Sequence, residues 1–198
     1  MRDIDCFEIY SIFKDKTVAL IGNSIVLNDC QLGSRIDSYD IVCRINKGPI
    51  LQDKIKYGIR TDVLFYSDPR VITNDILEIV DSNTTFITSS KSGKITLFSN
   101  RPTYVIDKEY YSRITLKTGY ENFNSQWPSN GLVAACLILD QNPKKITLFG
   151  FDWNMNRTFY KSRHKKKSRH IWDLEEKYLK SQDKIEIVNM LSEKSDKL

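Results

Sequence analysis

Six short apolar, β-branched runs, each ending in a polar loop, constrain this chain more than any other feature: Thr17–Ile21, Asp40–Ile45, Asp62–Tyr66, Thr84–Thr88, Lys144–Phe149 and Lys184–Val188. A strand that is apolar on both faces must be covered on both, and such strands belong to parallel sheets. Helical patterns fall between them. Ile50–Tyr57 suits a helix closed by Gly58, Val71–Val80 is amphipathic, and Leu132–Asp140 is almost wholly apolar. A further helix is expected from near Ser168 to about Lys180, with Ile171, Leu174 and Tyr178 on one face. Ser24–Ser38 is polar and reads as a short helical turn, and Asp5–Phe13 as a weak helix of no evident function. Lys91–Asn124 gives mixed signals, with short apolar runs at Ile95–Phe98 and Tyr104–Ile106; a strand and an irregular helix are expected there. The pattern indicates an α/β fold class: a doubly wound, mostly parallel sheet with helices on both faces, Rossmann-like. No repeat, linker or composition break divides the chain, so residues 1–198 are read as one domain.

The composition is that of an ordinary globular protein, with 40% hydrophobic and 28% charged residues. No apolar run approaches the roughly 18 residues of a membrane span. The first residues, M-R-D-I-D-C-F-E, lack the apolar core of a signal peptide, so a cytoplasmic protein is expected. Cys6, Cys30, Cys43 and Cys136 show no C-x-x-C spacing and read as reduced, mostly buried thiols. The formal charge is +5, yet the segment Lys161–Arg169 alone holds six Lys and Arg. That run reads as a solvated loop, a membrane-surface or nucleic-acid patch, or a flap over an anionic substrate.

Candidate chemistry sits where strands end. Gly22-Asn23-Ser24, Asn46-Lys47-Gly48 and Gly150-Phe151-Asp152-Trp153 each follow an apolar run. In open α/β sheets ligands lie beyond the carboxyl ends of strands. Pro128-Ser129-Asn130-Gly131 opens the apolar helix, where amides and the positive dipole end make an anion site and Ser129 or Asn130 a good cap. No G-x-G-x-x-G, Walker A motif or inter-strand D-x-D is present, so a phosphate here calls for amides, hydroxyls, His or Lys, with no metal and no cofactor expected. His164 lies within the basic run and reads as solvated. His170 stands at the expected helix start, where the dipole favours the neutral imidazole that a general base needs. Glu175, five residues on, would lie about 140° around that helix, so the two divide their labour, His170 facing the site and Glu175 bracing a loop.

Together these pieces resemble the sialyltransferases of glycosyltransferase family 29, in a bacterial- or viral-type member. The large sialylmotif is similar to V-A-L-I-G-N-S, I-D-S-Y-D-I-V-C-R-I-N-K-G-P and Y-G-I-R-T-D-V-L-F-Y-S, within Val18–Ser67. The small motif is similar to Pro128–Trp153, and the very small one, His then Glu after four residues, to His170–Glu175. The resemblance implies the sialyltransferase variant of the GT-A fold. It implies that Gly22, Asn23, Ser24 and Asn46, with Ser129, Asn130, Gly131, Phe151, Asp152 and Trp153, form the nucleotide site, and that His170 deprotonates the acceptor. Arg44, Tyr160 and Glu175 are assigned supporting roles. A second bacterial sialyltransferase family shares a similar Gly-Asn loop.

Departures from the pattern are informative. The family's usual disulfide positions correspond to Val18 and about Pro143, so that bridge is missing, as suits a reducing compartment. The family's third motif has no clear counterpart; Phe159-Tyr160 is nearest and lacks the His. The function implied is a metal-independent, inverting transfer of sialic acid or a related acidic sugar from a CMP-activated donor to a glycan hydroxyl. CMP-Kdo is the alternative donor. The alternative class is a non-enzymatic module binding nucleic acid or anionic membrane through Lys161–Arg169; against it, the run has few aromatics for base stacking. On the enzyme reading no nucleic acid is expected as partner, and the basic run would draw the protein to the inner membrane face.

Overall fold

The computed structural model describes residues 12–50, 53–88, 101–120, 126–153 and 170–188. Seven strands run through them: β1 Thr17–Ile21, β2 Ile41–Ile45, β3 Val63–Tyr66, β4 Thr85–Thr88, β5 Thr103–Val105, β6 Lys145–Phe149 and β7 Ile185–Ile187. Five helices lie wholly within the described residues: α1 Gly33–Asp37, α2 Asn74–Ile79, α3 Lys108–Lys117, α4 Asn130–Asp140 and α5 Trp172–Lys180. All six strand pairings are parallel, in the order β5-β4-β3-β2-β1-β6-β7. The side chains of β1, β2, β3 and β6 are almost continuously buried, whereas the edge strands β5 and β7 are half-buried. That contrast is the apolar-on-both-faces pattern of a covered parallel sheet.

The chain leaves β1 towards one edge, through β2 to β5, and returns to add β6 and β7 on the other side of β1. Right-handed crossovers taken in opposite directions cover opposite faces. One face packs Val18, Leu20, Cys43, Ile45, Val63 and Phe65 against α3, α4 and α5, through Ile114, the length of α4 and Leu179. The other packs Ala19, Ile21 and Val42 against Ile36 of α1, and Leu64 and Tyr66 against Ile76 of α2. α4 lies on β3 and β6 and is flanked by α3 and α5. Its residues Gly131–Ile138 are all buried, so its lack of a polar face has a direct cause.

Several sequence expectations are corrected. Residues 53–57 of the expected helix Ile50–Tyr57 form turns instead, because the Asp53 carboxylate accepts the Ile55 and Lys56 amides, both at 3.0 Å. A 3-10 turn, Gly48–Ile50, precedes them. The helix expected over Val71–Val80 is only α2; Pro69–Val71 form a separate 3-10 turn capped by the Asp68 side chain. The mixed region holds β5 and a regular ten-residue helix, α3. α5 begins at Trp172, which places His170 before the helix rather than on it. Ile95–Phe98, Tyr160, His164, Lys161–Arg169 and most of Asp5–Phe13 lie outside the described residues.

Candidate active site

β1 and β6 are neighbours whose onward connections diverge, which makes the gap beyond their carboxyl ends the topological switch point. The loops there are pressed together. The Gly22 amide donates to Phe149 O at 2.7 Å and the Ser24 amide to Gly150 O at 3.2 Å. A Cβ on Gly22 would sit 2.5 Å from Gly150 O. The Phe151 ring fills the space between this turn and α4: a Cβ on Gly22 or on Gly131 would lie 3.1 or 3.0 Å from it. Trp153 packs edge-on against Phe151, ring centroids 5.4 Å apart, and is itself buried in the core. Ser24 Oγ accepts the Val26 amide at 3.3 Å, capping a 3-10 turn, and contacts Asp152 Oδ2 at 3.5 Å.

The loop after β2 joins the same place. Asn46 adopts φ +52°, a left-handed conformation that Asn tolerates better than most residues. Its Oδ1 accepts the Ser67 amide and the Asn130 side-chain amide, both at 3.3 Å. A Cβ on Gly48 would come within 3.7 Å of Asn23 Oδ1, a buried oxygen that has no hydrogen-bond partner among the described residues. All four loops singled out in the sequence therefore meet, with two carboxamides and the N-terminus of α4 among their groups.

Arg44 packs against the same loop, since a Cβ on Gly48 would lie 3.0 Å from Arg44 Cβ. It is fully buried and donates to Tyr57 O at 2.8 Å and Arg60 O at 2.9 Å, securing the chain that leads into β3. Burial brings its guanidinium down to about 10, against an opposing pull from Asp37 and Asp62.

Three consecutive residues ahead of α4 are each gripped. Trp127 O faces His170 Nδ1 at 2.8 Å, Pro128 O accepts from Tyr111 Oη at 3.5 Å, and Ser129 is held by Glu175. A carbonyl only accepts, so Nδ1 carries the proton and, in the neutral ring, Nε2 is the basic nitrogen. The imidazole also lies edge-on to Trp172 at 5.0 Å. Glu175 is buried and accepts from Tyr120 Oη at 2.6 Å, the Ser129 amide at 2.7 Å and Ser129 Oγ at 2.5 Å. Ser129 Oγ in turn accepts the Leu132 amide at 3.1 Å, the N-cap bond of α4. His170 and Glu175 do divide their contacts, but the angular argument fails because His170 is not helical; the turn before α5 separates them.

Sequence reasoning missed Tyr120 and the Trp127 carbonyl. The carbonyl carries no side-chain signal. Tyr120 does: Thr118-Gly119-Tyr120 is a glycine-terminated helix ending that the mixed reading of its surroundings obscured.

Residues 14–91 match glycosyltransferase family 29 (sialyltransferase). The chain is sialyltransferase-like. Over 88 residues it is 36% identical to the type 2 lactosamine alpha-2,3-sialyltransferase of Homo sapiens and 35% identical to that of Mus musculus. Each match covers 44% of this chain and 26% of the relative, about a quarter of its length. The sialyltransferase fold extends further. A mammalian sialyltransferase solved in complex with Gal-beta-1-3GalNAc-ortho-nitrophenol superposes with a TM-score of 0.64 at 18% identity, covering 94% of this chain and 74% of that one. CstII from Campylobacter jejuni, solved in complex with the substrate analogue CMP-3FNeuAc, gives 0.61 at 15%, covering 87% and 80%. Sequence similarity thus marks β1 to β4, and the sialyltransferase architecture accounts for the remainder.

Proposed function

We propose that this chain transfers sialic acid from CMP-sialic acid to a glycan hydroxyl, inverting the anomeric centre and using no metal. The observation that carries the reading is the meeting of Asn23, Asn46 and the α4 N-terminus beside a histidine whose Nδ1 is committed to Trp127 O. The carboxamides of Asn23 and Asn46 suit the hydroxyls and phosphate of CMP, and the first amides of α4 suit its negative charge. His170 Nε2 takes the proton of the acceptor hydroxyl as that oxygen attacks the anomeric carbon. The bond from the anomeric carbon to the phosphate oxygen breaks, and its electron pair leaves with CMP. Positive potential at α4 stabilises the charge that develops there. A reducing compartment belongs to the same reading, supported by the free, buried thiols of Cys43 and Cys136.

Thermal unfolding with CMP tests the site. At about 100 times its dissociation constant CMP adds roughly 2.7 kcal/mol, and EDTA leaves the shift unchanged. His170→Ala is expected to keep that shift and lose about 10²- to 10⁴-fold in transfer. Full transfer by folded His170→Ala would overturn the mechanism, no response to CMP would remove the nucleotide site, and transfer from CMP-Kdo in place of CMP-Neu5Ac would change the donor.

A further inference from the structure

We propose that Tyr120 is a positioning residue for His170, holding the peptide that bears the imidazole in register with the N-terminus of α4. The inference rests on the reading of His170 as the base. Its origin is a helix ending. α3 gives way to Thr118 as C-cap and Gly119 at φ +79°, a conformation that favours glycine. The Gly119 amide donates to Leu116 O at 3.1 Å and the Tyr120 amide to Thr115 O at 2.9 Å, the paired bonds of a Schellman motif. This turn rests on α5, since a Cβ on Gly119 would meet Leu174 Cδ1 at 3.5 Å. Tyr120 is thereby delivered, buried, beneath the start of α5.

The direction of each hydrogen bond is fixed. The Ile171 amide donates, so Tyr120 Oη accepts it at 2.9 Å and sends its own proton to Glu175 Oε1 at 2.6 Å. Burial first, and then the Glu175 charge, push the Tyr120 hydroxyl well up, so it remains a donor. Ile171 is the N-cap of α5, and its side chain makes no capping bond. The nitrogen that Tyr120 grips is the one bonded to the carbonyl carbon of His170. The hydroxyl therefore fixes the peptide from which the imidazole hangs, while Trp127 O fixes the ring itself. Glu175 closes the circuit by holding Ser129, two residues after Trp127. His170, Trp127, Ser129, Glu175, Tyr120 and Ile171 form one closed loop of contacts, which Tyr120 joins through Glu175 and the Ile171 amide.

Tyr120→Phe removes one oxygen and keeps the ring. Transfer is expected to show kcat lower by about 10- to 100-fold, because a displaced base loses its alignment with the reacting hydroxyl. The CMP dissociation constant is expected to stay within about threefold, since no CMP contact is removed. Long-range proton–nitrogen NMR reads the tautomer directly, and the chain has only two histidines to assign. Wild-type His170 is expected as the Nδ1-protonated form alone, and the variant as a mixture of tautomers. An unchanged single tautomer with wild-type kcat overturns the proposal. So does a defect confined to a lower Tm, with kcat per CMP-binding molecule intact. Should the variant not fold, amide exchange in the wild type decides: slow exchange at Ile171 is expected, and exchange at the rate of an exposed amide overturns the inference. A wild-type protein that transfers from no CMP-sugar would defeat the functional reading alone, while the tautomer and exchange measurements would still judge the Tyr120 geometry.

Discussion

Gly22 and Gly150 leave no room for a side chain where β1 and β6 end. An alanine Cβ at residue 22 would stand 2.5 Å from Gly150 O, and one at residue 150 would meet Leu27 Cδ1 at 2.5 Å in a left-handed backbone. Gly22→Ala is expected to cost about 1–3 kcal/mol in urea unfolding and to weaken CMP binding in a direct titration, because backbone must move. Ser129→Ala should be worse than Asn130→Ala in thermal unfolding. It removes the α4 cap, worth about 1 kcal/mol, and also takes a hydroxyl from buried Glu175, whereas Asn130→Ala gives up a 3.3 Å contact with Asn46. Burial is the foremost cause that keeps two of the thiols protonated. Desolvation raises Cys43 well above the ordinary thiol range and Cys136 to about 12. Neither is expected to be alkylated in the native protein at pH 8, and both should react once urea unfolds it.

Strands were more legible than turns. Each of the six apolar runs read from the sequence contains a strand, because burial on both faces writes itself as an unbroken apolar run. The four loops of the site were legible for the same reason: three come directly after a buried strand, and the fourth opens a buried helix. Residues 53–57 were not, since one Asp53 side chain capturing two amides outweighs a helical spacing. Tyr120 was not, because its importance lies in a partner that folding brings from 51 residues away. At the sheet's edge, Glu186 of β7 binds Lys145 at 2.9 Å and Thr147 at 3.0 Å, and faces Arg35 at 3.5 Å. The Lys145 hydrogen bond, foremost, holds its carboxyl below the usual range, against the pull of desolvation. A depressed folded value means stability present above the unfolded pKa of 4.5 and lost as pH falls through the folded one. These groups are partly exposed, so the contribution stays below about 1 kcal/mol. Lys145→Met is expected to flatten the acid side of a urea-midpoint profile between about pH 6 and 3.

The whole molecule is organised about β1, which is first of the described strands in sequence yet interior in the sheet. Residues 14–91 supply β1 to β4 and two of the four loops, while α4 and β6 supply the other two. A fragment ending before Asn130 is therefore expected to give no CMP-dependent thermal shift, whatever its own stability.

The strand order also fixes a hazard during synthesis. One edge of β1 has its folded-state partner, β2, in the chain once residues 41–45 have been made, but the other waits for residues 145–149. Throughout that interval the nascent chain carries an open, apolar strand edge, the geometry that templates intermolecular pairing. Chains stalled before Lys145 should accumulate as chaperone-bound or insoluble species, whereas chains stalled well past Phe149 should be soluble.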